Sequence, residues 1–375
     1  MRTQIAVNTR LLLPNKLEGI GWFTYETLKR ITTNHPEVDF HFFFDREYNE
    51  QFIFNSNVHP HIIYPSARHP ILFYTWFEWR LPPKLRKLKA DLFLSPDGYL
   101  SLNSEKKQLA VIHDIYFEHY PQYLPLGARY YLKYYFPKFA HKANRIATVS
   151  EFSKNDIIGQ YGTEADKIDV VYNGASKAFR PLSPTEKTQA RDQFANGLPY
   201  FIYVGALQPR KNTASLLQAF DQFREATDKP MKLVLTGEKK WWGKDQESVY
   251  QKMKYKADVH FLGRVEPEEL SLAMGGAEAL TYISFFEGFG IPILEAMRSE
   301  VPVLTSGITS MPEIGGDAAV YCSPFDIDSI VDGMKEVTNP LRRTELITAA
   351  KVQRQKFSWD LTAEKLWKSV ELCLD

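Results

Sequence analysis

Short apolar or β-branched runs alternate with longer stretches whose apolar positions recur every three to four residues, almost from one end of the chain to the other. The short runs fit strands buried on both faces, and the longer spacing fits helices with one apolar stripe. In the first half the pattern predicts strands over Gln4–Asn8, Asp39–Phe44, Asp91–Ser95, Leu109–His113, Arg145–Val149 and Ile168–Tyr172. Helices fit at Gly21–Ile31, Tyr74–Leu88, Ala128–Ala143 and Ser153–Tyr161. Residues 173–198 are polar, hold Pro181 and Pro184, and read as a linker. The alternation then restarts, with strands at Tyr200–Val204, Lys232–Thr236, Val259–Leu262, Ala279–Ser284 and Pro302–Thr305 and helices opening at Thr213, near Ser248, at Pro267 and at Pro292. A last helix follows Phe357, with Ser358 or Asp360 as its cap and Ala363, Leu366, Trp367, Val370 and Leu374 on one face.

Strands separated by helices argue for βα units and parallel sheets, hence an α/β chain of two Rossmann-like, doubly wound domains. A length of 375 residues agrees with two domains at roughly 100 to 200 residues each. Two such halves place a cleft between the carboxyl ends of their sheets, so the chemistry is expected in strand-to-helix loops.

Composition narrows the function classes. The formal charge is +1, which gives no general attraction to nucleic acid. Residues 1–180 carry 23 Lys and Arg against 18 Asp and Glu, a mildly basic half that suits an anionic substrate or membrane surface. Two cysteines, Cys322 and Cys373, are too few for a disulfide framework or a Cys-rich zinc site, and the start lacks the apolar core of a secretion signal. A reducing, cytoplasmic setting is expected. Apolar stretches such as Ile71–Phe77 fall far short of the roughly 18 residues that cross a bilayer.

Two loops carry candidate chemistry. Glu287-Gly288-Phe289-Gly290-Ile291-Pro292-Ile293-Leu294-Glu295 follows an apolar strand; its glycines allow close backbone approach, and Pro292 suits the first turn of a helix whose free amides would face a ligand. Glu287 at the strand end can accept from sugar hydroxyls, and Glu295, about one turn into the helix, can chelate a ribose diol. An acidic helix start is favourable without any ligand, so either glutamate alone says little. In Gly205-Ala206-Leu207-Gln208-Pro209-Arg210-Lys211-Asn212, Arg210 and Lys211 precede a helix and suit a diphosphate.

These loops, with Thr148-Val149-Ser150-Glu151-Phe152-Ser153, Val171-Tyr172-Asn173-Gly174 and Gly315-Gly316-Asp317-Ala318-Ala319, resemble glycosyltransferase family 4 over most of the chain. The resemblance implies the GT-B fold, nucleotide-diphosphate sugar donors and retention of anomeric configuration. It implies domains of 1–180 plus 357–375 on the acceptor side and 181–356 on the donor side. By position, Arg210 and Lys211 would bind the diphosphate; Glu287 and the amides of Gly288, Phe289 and Gly290, beside Ile291, would hold the sugar; Glu295 would bind ribose, Gly205 would allow close approach, and Arg264 and Val265 would meet the base. In the first half, Gly19 and Gly21 match the family's glycine loop, and His113 would contact donor sugar or acceptor with Asp114 orienting it.

Asp326 and Asp328 read as a helix cap in place of a metal site, so neither metal nor cofactor is expected. A basic, aromatic segment around Ala128–Arg145 can lie on anionic lipid, but Pro137 interrupts it and core packing is the preferred reading of its rings. Trp241 and Trp242 read as an exposed aromatic loop. The expected activity is transfer of a hexose, GDP-mannose ahead of a UDP-hexose as donor, to a glycan or lipid-linked acceptor of cell-surface polysaccharide. A nucleotide-sugar epimerase and a non-catalytic nucleotide-sugar-binding protein are the alternatives.

Overall fold

A computed structural model describes residues 2–14, 16–227, 230–239 and 242–375. They divide into two compact units, Met1–Gly174 with Ser358–Asp375, and Ala175–Phe357. The first unit holds seven parallel strands: β1 (Gln4–Asn8), β2 (Asp39–Phe44), β3 (Val58–Ile62), β4 (Leu92–Ser95), β5 (Lys107–Val111), β6 (Arg145–Thr148) and β7 (Ile168–Val170). Their order is β3-β2-β1-β4-β5-β6-β7. The second unit holds β8 (Tyr200–Val204), β9 (Lys232–Thr236), β10 (Val259–Gly263), β11 (Ala279–Tyr282), β12 (Val303–Ser306) and β13 (Ala319–Cys322), also parallel, in the order β10-β9-β8-β11-β12-β13.

Central strands such as β8 (YFIYV) are buried at every position, as helices on both faces require. The first core gathers Trp76, Phe77, Phe93, Phe139 and Ile146; the second gathers Phe201, Leu217, Phe220, Leu304 and Met334. Two strands went unread in the sequence. β3 (VHPHI) carries Pro60, which a sheet tolerates at an edge, and β3 is the edge strand. β13 has only four residues.

The expected linker is a correction. Its residues Pro184–Ala195 form a helix, with Pro184 in its first turn and Ser183 closing a capping box with Glu186. The prolines mark a helix start. The chain passes between the units at Gly174–Ala175 and Phe357–Ser358, against the expected 180/181 and 356/357. The predicted helix Tyr74–Leu88 is also broken: Pro70–Tyr74 is α, Thr75–Arg80 is a π-helix, and Leu81–Leu88 is α again. Pro137, by contrast, sits inside a continuous helix, Leu126–Lys142.

The last helix, Trp359–Leu374, packs within the first unit. Ser358 Oγ caps it by accepting from Leu361 N at 3.1 Å, Arg30 Nε donates to Asp360 at 2.6 Å, and Trp359 meets Phe23 edge to face. Gly174 is where this docking is tightest: a Cβ there would lie 2.3 Å from Trp359 N and 2.7 Å from the Ser358 carbonyl carbon. Those are backbone atoms and cannot swing aside. Gly174→Ala is therefore expected to cost about 1–3 kcal/mol, read as a lowered thermal midpoint; an unchanged midpoint would show that the Ser358–Trp359 backbone yields at no cost.

Candidate active site

In the second sheet the strand order reverses between β8 and β11, the place where loops diverge and leave room for a ligand in doubly wound sheets. The loop leaving β8 carries Arg210 and Lys211, and the loop leaving β11 carries Glu287. The two are tied by the Phe285 N–H, which donates to the Arg210 carbonyl at 3.0 Å. Arg210 donates to the Phe286 carbonyl and stands 3.1 Å from Glu287 Oε2; Lys211 Nζ lies 2.6 Å from Glu287 Oε1 and 2.7 Å from the Tyr282 hydroxyl. Burial alone would push the Glu287 carboxyl up, but Arg210 and Lys211 outweigh it and hold the value at about 2. Two cations around one fixed carboxylate leave a local charge of +1, suited to a diphosphate.

Ser310 Oγ clamps the Glu287 loop by donating to the carbonyls of Glu287 (2.8 Å) and Phe289 (3.1 Å). Gly288 and Phe289 are buried between these ties, and Gly290, at φ +95°, turns the chain into the helix Ile291–Arg298. Glu295 lies on that helix. Among the described residues its carboxyl makes no hydrogen bond or ion pair, and burial pushes it up to about 8. Sequence reasoning missed Tyr282 and Ser310. Strand alternation gives Tyr282 an inward position but not its role, and nothing local marks Ser310.

The carboxyl ends of β8, β9 and β10 lie side by side at Gly205, Gly237 and Gly263, all with positive φ. Gly205 N donates to Thr236 O at 3.1 Å and Gly237 N to Gly263 O at 2.7 Å, and a Cβ on Gly237 would meet the Gly205 carbonyl oxygen at 2.0 Å. Arg264 and Val265 leave β10 at the end of this row, with Arg264 exposed. Trp242 is a correction. It packs edge to face on Tyr250 and Phe261 and donates to Glu247, while Trp241 lies outside the described residues.

In the first unit the order reverses between β1 and β4. There Asn8, Arg10, Ser95 and Asp97 form a buried polar cluster that sequence reasoning also missed: Arg10 Nε meets Asp97 at 2.7 Å, and Asn8 Nδ2 reaches Asp97 at 2.8 Å and Ser95 at 3.0 Å. Polar residues closing apolar strands were the available signal. His113, after β5, donates through Nε2 to the Pro96 carbonyl at 2.9 Å and packs on Phe23. Burial lowers its pKa, so the ring is neutral and presents Nδ1 as an acceptor. Asp114 does not orient the ring as expected: its carboxylate accepts from Tyr116 N at 3.1 Å, and the Pro96 carbonyl holds His113 instead. Thr148 and Ser153 fix the same strand end by donating to the carbonyls of Ile112 and His113. Gly19 opens the helix Gly19–Asn34 with free space where a Cβ would stand, whereas Gly21 is held by packing, 3.1 Å from the Leu11 carbonyl by the same measure.

Asp326 caps the helix Ile327–Val337 by accepting from Asp328 N. Among the described residues no His, Cys, Asp or Glu group of three or more could hold a metal, and no helix is long and apolar enough to cross a membrane.

Glu287 and Glu295 impose opposite pH dependences. The unfolded value of a glutamate is about 4.3. Glu287 is depressed, so its contribution is present above that value and lost as pH falls toward 2. Glu295 is raised, so its neutral form favours folding fully below about 4.3, a contribution lost as pH climbs to 8. In Glu295→Gln the fall in urea midpoint between pH 5 and pH 8 should shrink relative to the parent; an identical fall in both proteins would refute the elevated value.

The Glycosyltransferase Family 4 model matches residues 17–178, and the Glycosyl transferases group 1 model matches residues 184–353. The chain is 29% identical over 356 residues to the O-antigen chain mannosyltransferase B of Escherichia coli, covering 92% of this chain and 93% of that protein. It is 27% identical to the O-antigen chain mannosyltransferase RfbU of Salmonella typhimurium over 72% of each. The solved structure of Anabaena HepE with UDP-glucose superposes with a TM-score of 0.76 at 16% identity, over 98% of this chain and 99% of that one. Both units thus fall under glycosyltransferase families, and the chain belongs to glycosyltransferase family 4, with the GT-B fold.

Proposed function

We propose that this glycosyltransferase moves a hexose, mannose first among candidates, from a nucleotide-diphosphate sugar to a hydroxyl of a glycan or lipid-linked acceptor in cell-surface polysaccharide assembly. The observation that carries the reading is the joining of Arg210, Lys211 and Glu287 in one ion cluster at the β8/β11 reversal. The named activities of the Escherichia coli and Salmonella relatives favour mannose, hence GDP-mannose. The UDP-glucose bound to HepE keeps a UDP-hexose as the second donor to test.

In this reading Arg210 and Lys211 take the diphosphate and stabilise the charge that develops as the glycosidic bond breaks. Glu287, fixed as a carboxylate, accepts from sugar hydroxyls, with the amides of Gly288, Phe289 and Gly290 beside it. Glu295 binds the ribose, Arg264 and Val265 meet the base, and Gly205 lets the backbone come close. His113 offers Nδ1 to a sugar or acceptor hydroxyl, Asp114 shapes the turn that follows it, and Gly19 and Gly21 open the helix facing phosphate or acceptor. The transition state is oxocarbenium-like: the bond to the diphosphate breaks, the acceptor oxygen attacks the face the diphosphate leaves, its proton passes to the departing phosphate oxygen, and configuration is retained. Protein cations meet the leaving group, so the reading calls for no metal ion. The setting is cytoplasmic, with peripheral contact at the inner face of a membrane.

Arg210→Ala and Lys211→Ala should each weaken nucleoside-diphosphate binding and lower kcat by roughly a hundredfold, the scale of losing one preorganised contact to a developing charge. Glu287→Gln should impair transfer more than nucleotide binding, and Glu295→Gln should impair both. Calorimetric titration with GDP and UDP, and turnover with the matching nucleotide sugars, check this. Parental affinity and rate in both cation variants would overturn the site assignment.

A further inference from the structure

We propose that Thr309 and Ser310 are positioning residues for sugar transfer, their hydroxyls holding the backbone of residues 287–289 in the arrangement that presents the Glu287 carboxylate to the transferred sugar. The inference rests on the role given above to Glu287 and its loop.

Four hydroxyls in the six residues Thr305-Ser306-Gly307-Ile308-Thr309-Ser310 go to one stretch of chain. Thr305 Oγ1 donates to the Tyr282 carbonyl at 2.8 Å and Ser306 Oγ to the Ser284 carbonyl at 2.7 Å. Thr309 Oγ1 accepts from Glu287 N at 3.4 Å, and the single proton of Ser310 Oγ is shared between the carbonyls of Glu287 and Phe289. The register of β11 with β12 ends at Tyr282 opposite Thr305. Beyond it the Gly307 N–H turns to the Cys322 carbonyl on β13 at 2.9 Å, and hydroxyls take over from the backbone in holding the Glu287 loop.

Two local preferences are set aside to make these contacts. Thr309 is β-branched yet sits at φ +58°, a left-handed conformation that glycine or asparagine adopts with far less strain. Ser310 occupies the cap of the short helix Met311–Gly315, where a serine ordinarily accepts from its own helix. Its hydroxyl makes no cap hydrogen bond and is turned to the Glu287 loop instead. A loop shaped for stability alone would carry Gly or Asn at 309 and let Ser310 cap. Strain kept beside a forgone cap points to a geometry that the reaction needs.

Glu287 is held from two sides. Arg210 and Lys211 grip its carboxylate, and the two hydroxyls grip the backbone that carries it. A reacting group misplaced by about 1 Å can lower a rate on the order of a hundredfold. Ser310, with contacts of 2.8 and 3.1 Å, should matter more than Thr309, whose contact is long at 3.4 Å.

Turnover of the full chain is read as nucleoside diphosphate released from GDP-mannose and from UDP-glucose, with water in place of the acceptor. Calorimetric affinity for GDP and UDP and the thermal midpoint are read beside it. Ser310→Ala should lower kcat roughly tenfold and Thr309→Gly roughly threefold, both with nucleotide affinity within about twofold of the parent. Thr309→Gly carries the discriminating sign: relief of strain keeps the midpoint at the parental value or raises it while the rate falls. Thr309→Ser, which keeps the hydroxyl, should recover most of that rate. If water proves too poor an acceptor for turnover, the gain in affinity from GDP to GDP-mannose, or from UDP to UDP-glucose, should shrink in Ser310→Ala. Parental rate and parental gain in both variants, or a fall in rate matched by a fall in midpoint in Thr309→Gly, would overturn the proposal. Failure of the underlying reading looks different, because Arg210→Ala and Lys211→Ala would then keep the parental nucleotide affinity.

Discussion

Burying a carboxylate is unfavourable unless cations and donors replace the water it loses, and that constraint organises the second unit. Glu287 sits where β11 ends, buried, and stays ionised only because Arg210 and Lys211 converge on it from the loop after β8. The two loops are therefore bound together by charge as well as by the Phe285 to Arg210 backbone bond. Glu295, on the helix that follows, has no such cation and is driven toward its neutral form. Two glutamates in one short segment are thus shifted in opposite directions, Glu287 down by its cations and Glu295 up by burial.

The same solution recurs in the first unit, where β1 and β4 part. Arg10 and Asp97 pair out of water at 2.7 Å, Asn8 and Ser95 complete the carboxylate's hydrogen bonds, and the Phe73, Phe77 and Tyr99 rings surround the guanidinium at 4.5 to 5.5 Å. Pro96 lies between Ser95 and Asp97, and its carbonyl holds the His113 ring. The buried pair thereby sets the turn that fixes the tautomer of His113, a few bonds away from any group it touches directly.

Strand-helix alternation was legible because parallel strands are apolar on both faces, and the strands from β8 to β12 stand close to where the pattern puts them. What escaped was short or punctuated by proline. β3 hides behind Pro60, β13 is too brief to show a period, and Pro184 signals a helix start as readily as a loop. At the site, Arg210, Lys211 and Glu287 were legible as motif residues. That they pair with one another was not, because an ion pair across 76 positions depends on the strand order. Tyr282, Ser310 and the Asn8–Asp97 cluster depend on it too. Asp114 shows the opposite error: adjacency in sequence suggested a partner for His113, yet neighbours on a turn point apart, and the backbone of Pro96, distant in sequence, supplies the contact.

The helical runs Pro70–Leu88 and Leu126–Lys142 close the Arg10 cluster. Phe73 and Phe77, from the first run, lie over the guanidinium, and Tyr131, from the second, packs on both Phe73 and Tyr99. One side of each helix is thus committed to the polar cluster at the β1/β4 reversal, and the opposite side carries Tyr74, Trp79, Tyr130 and Tyr134 outward. A π-turn inserted between two α segments makes this division possible, because an even α-helical pitch over residues 70–88 would not bring Tyr74 and Trp79, five residues apart, onto one outer stripe.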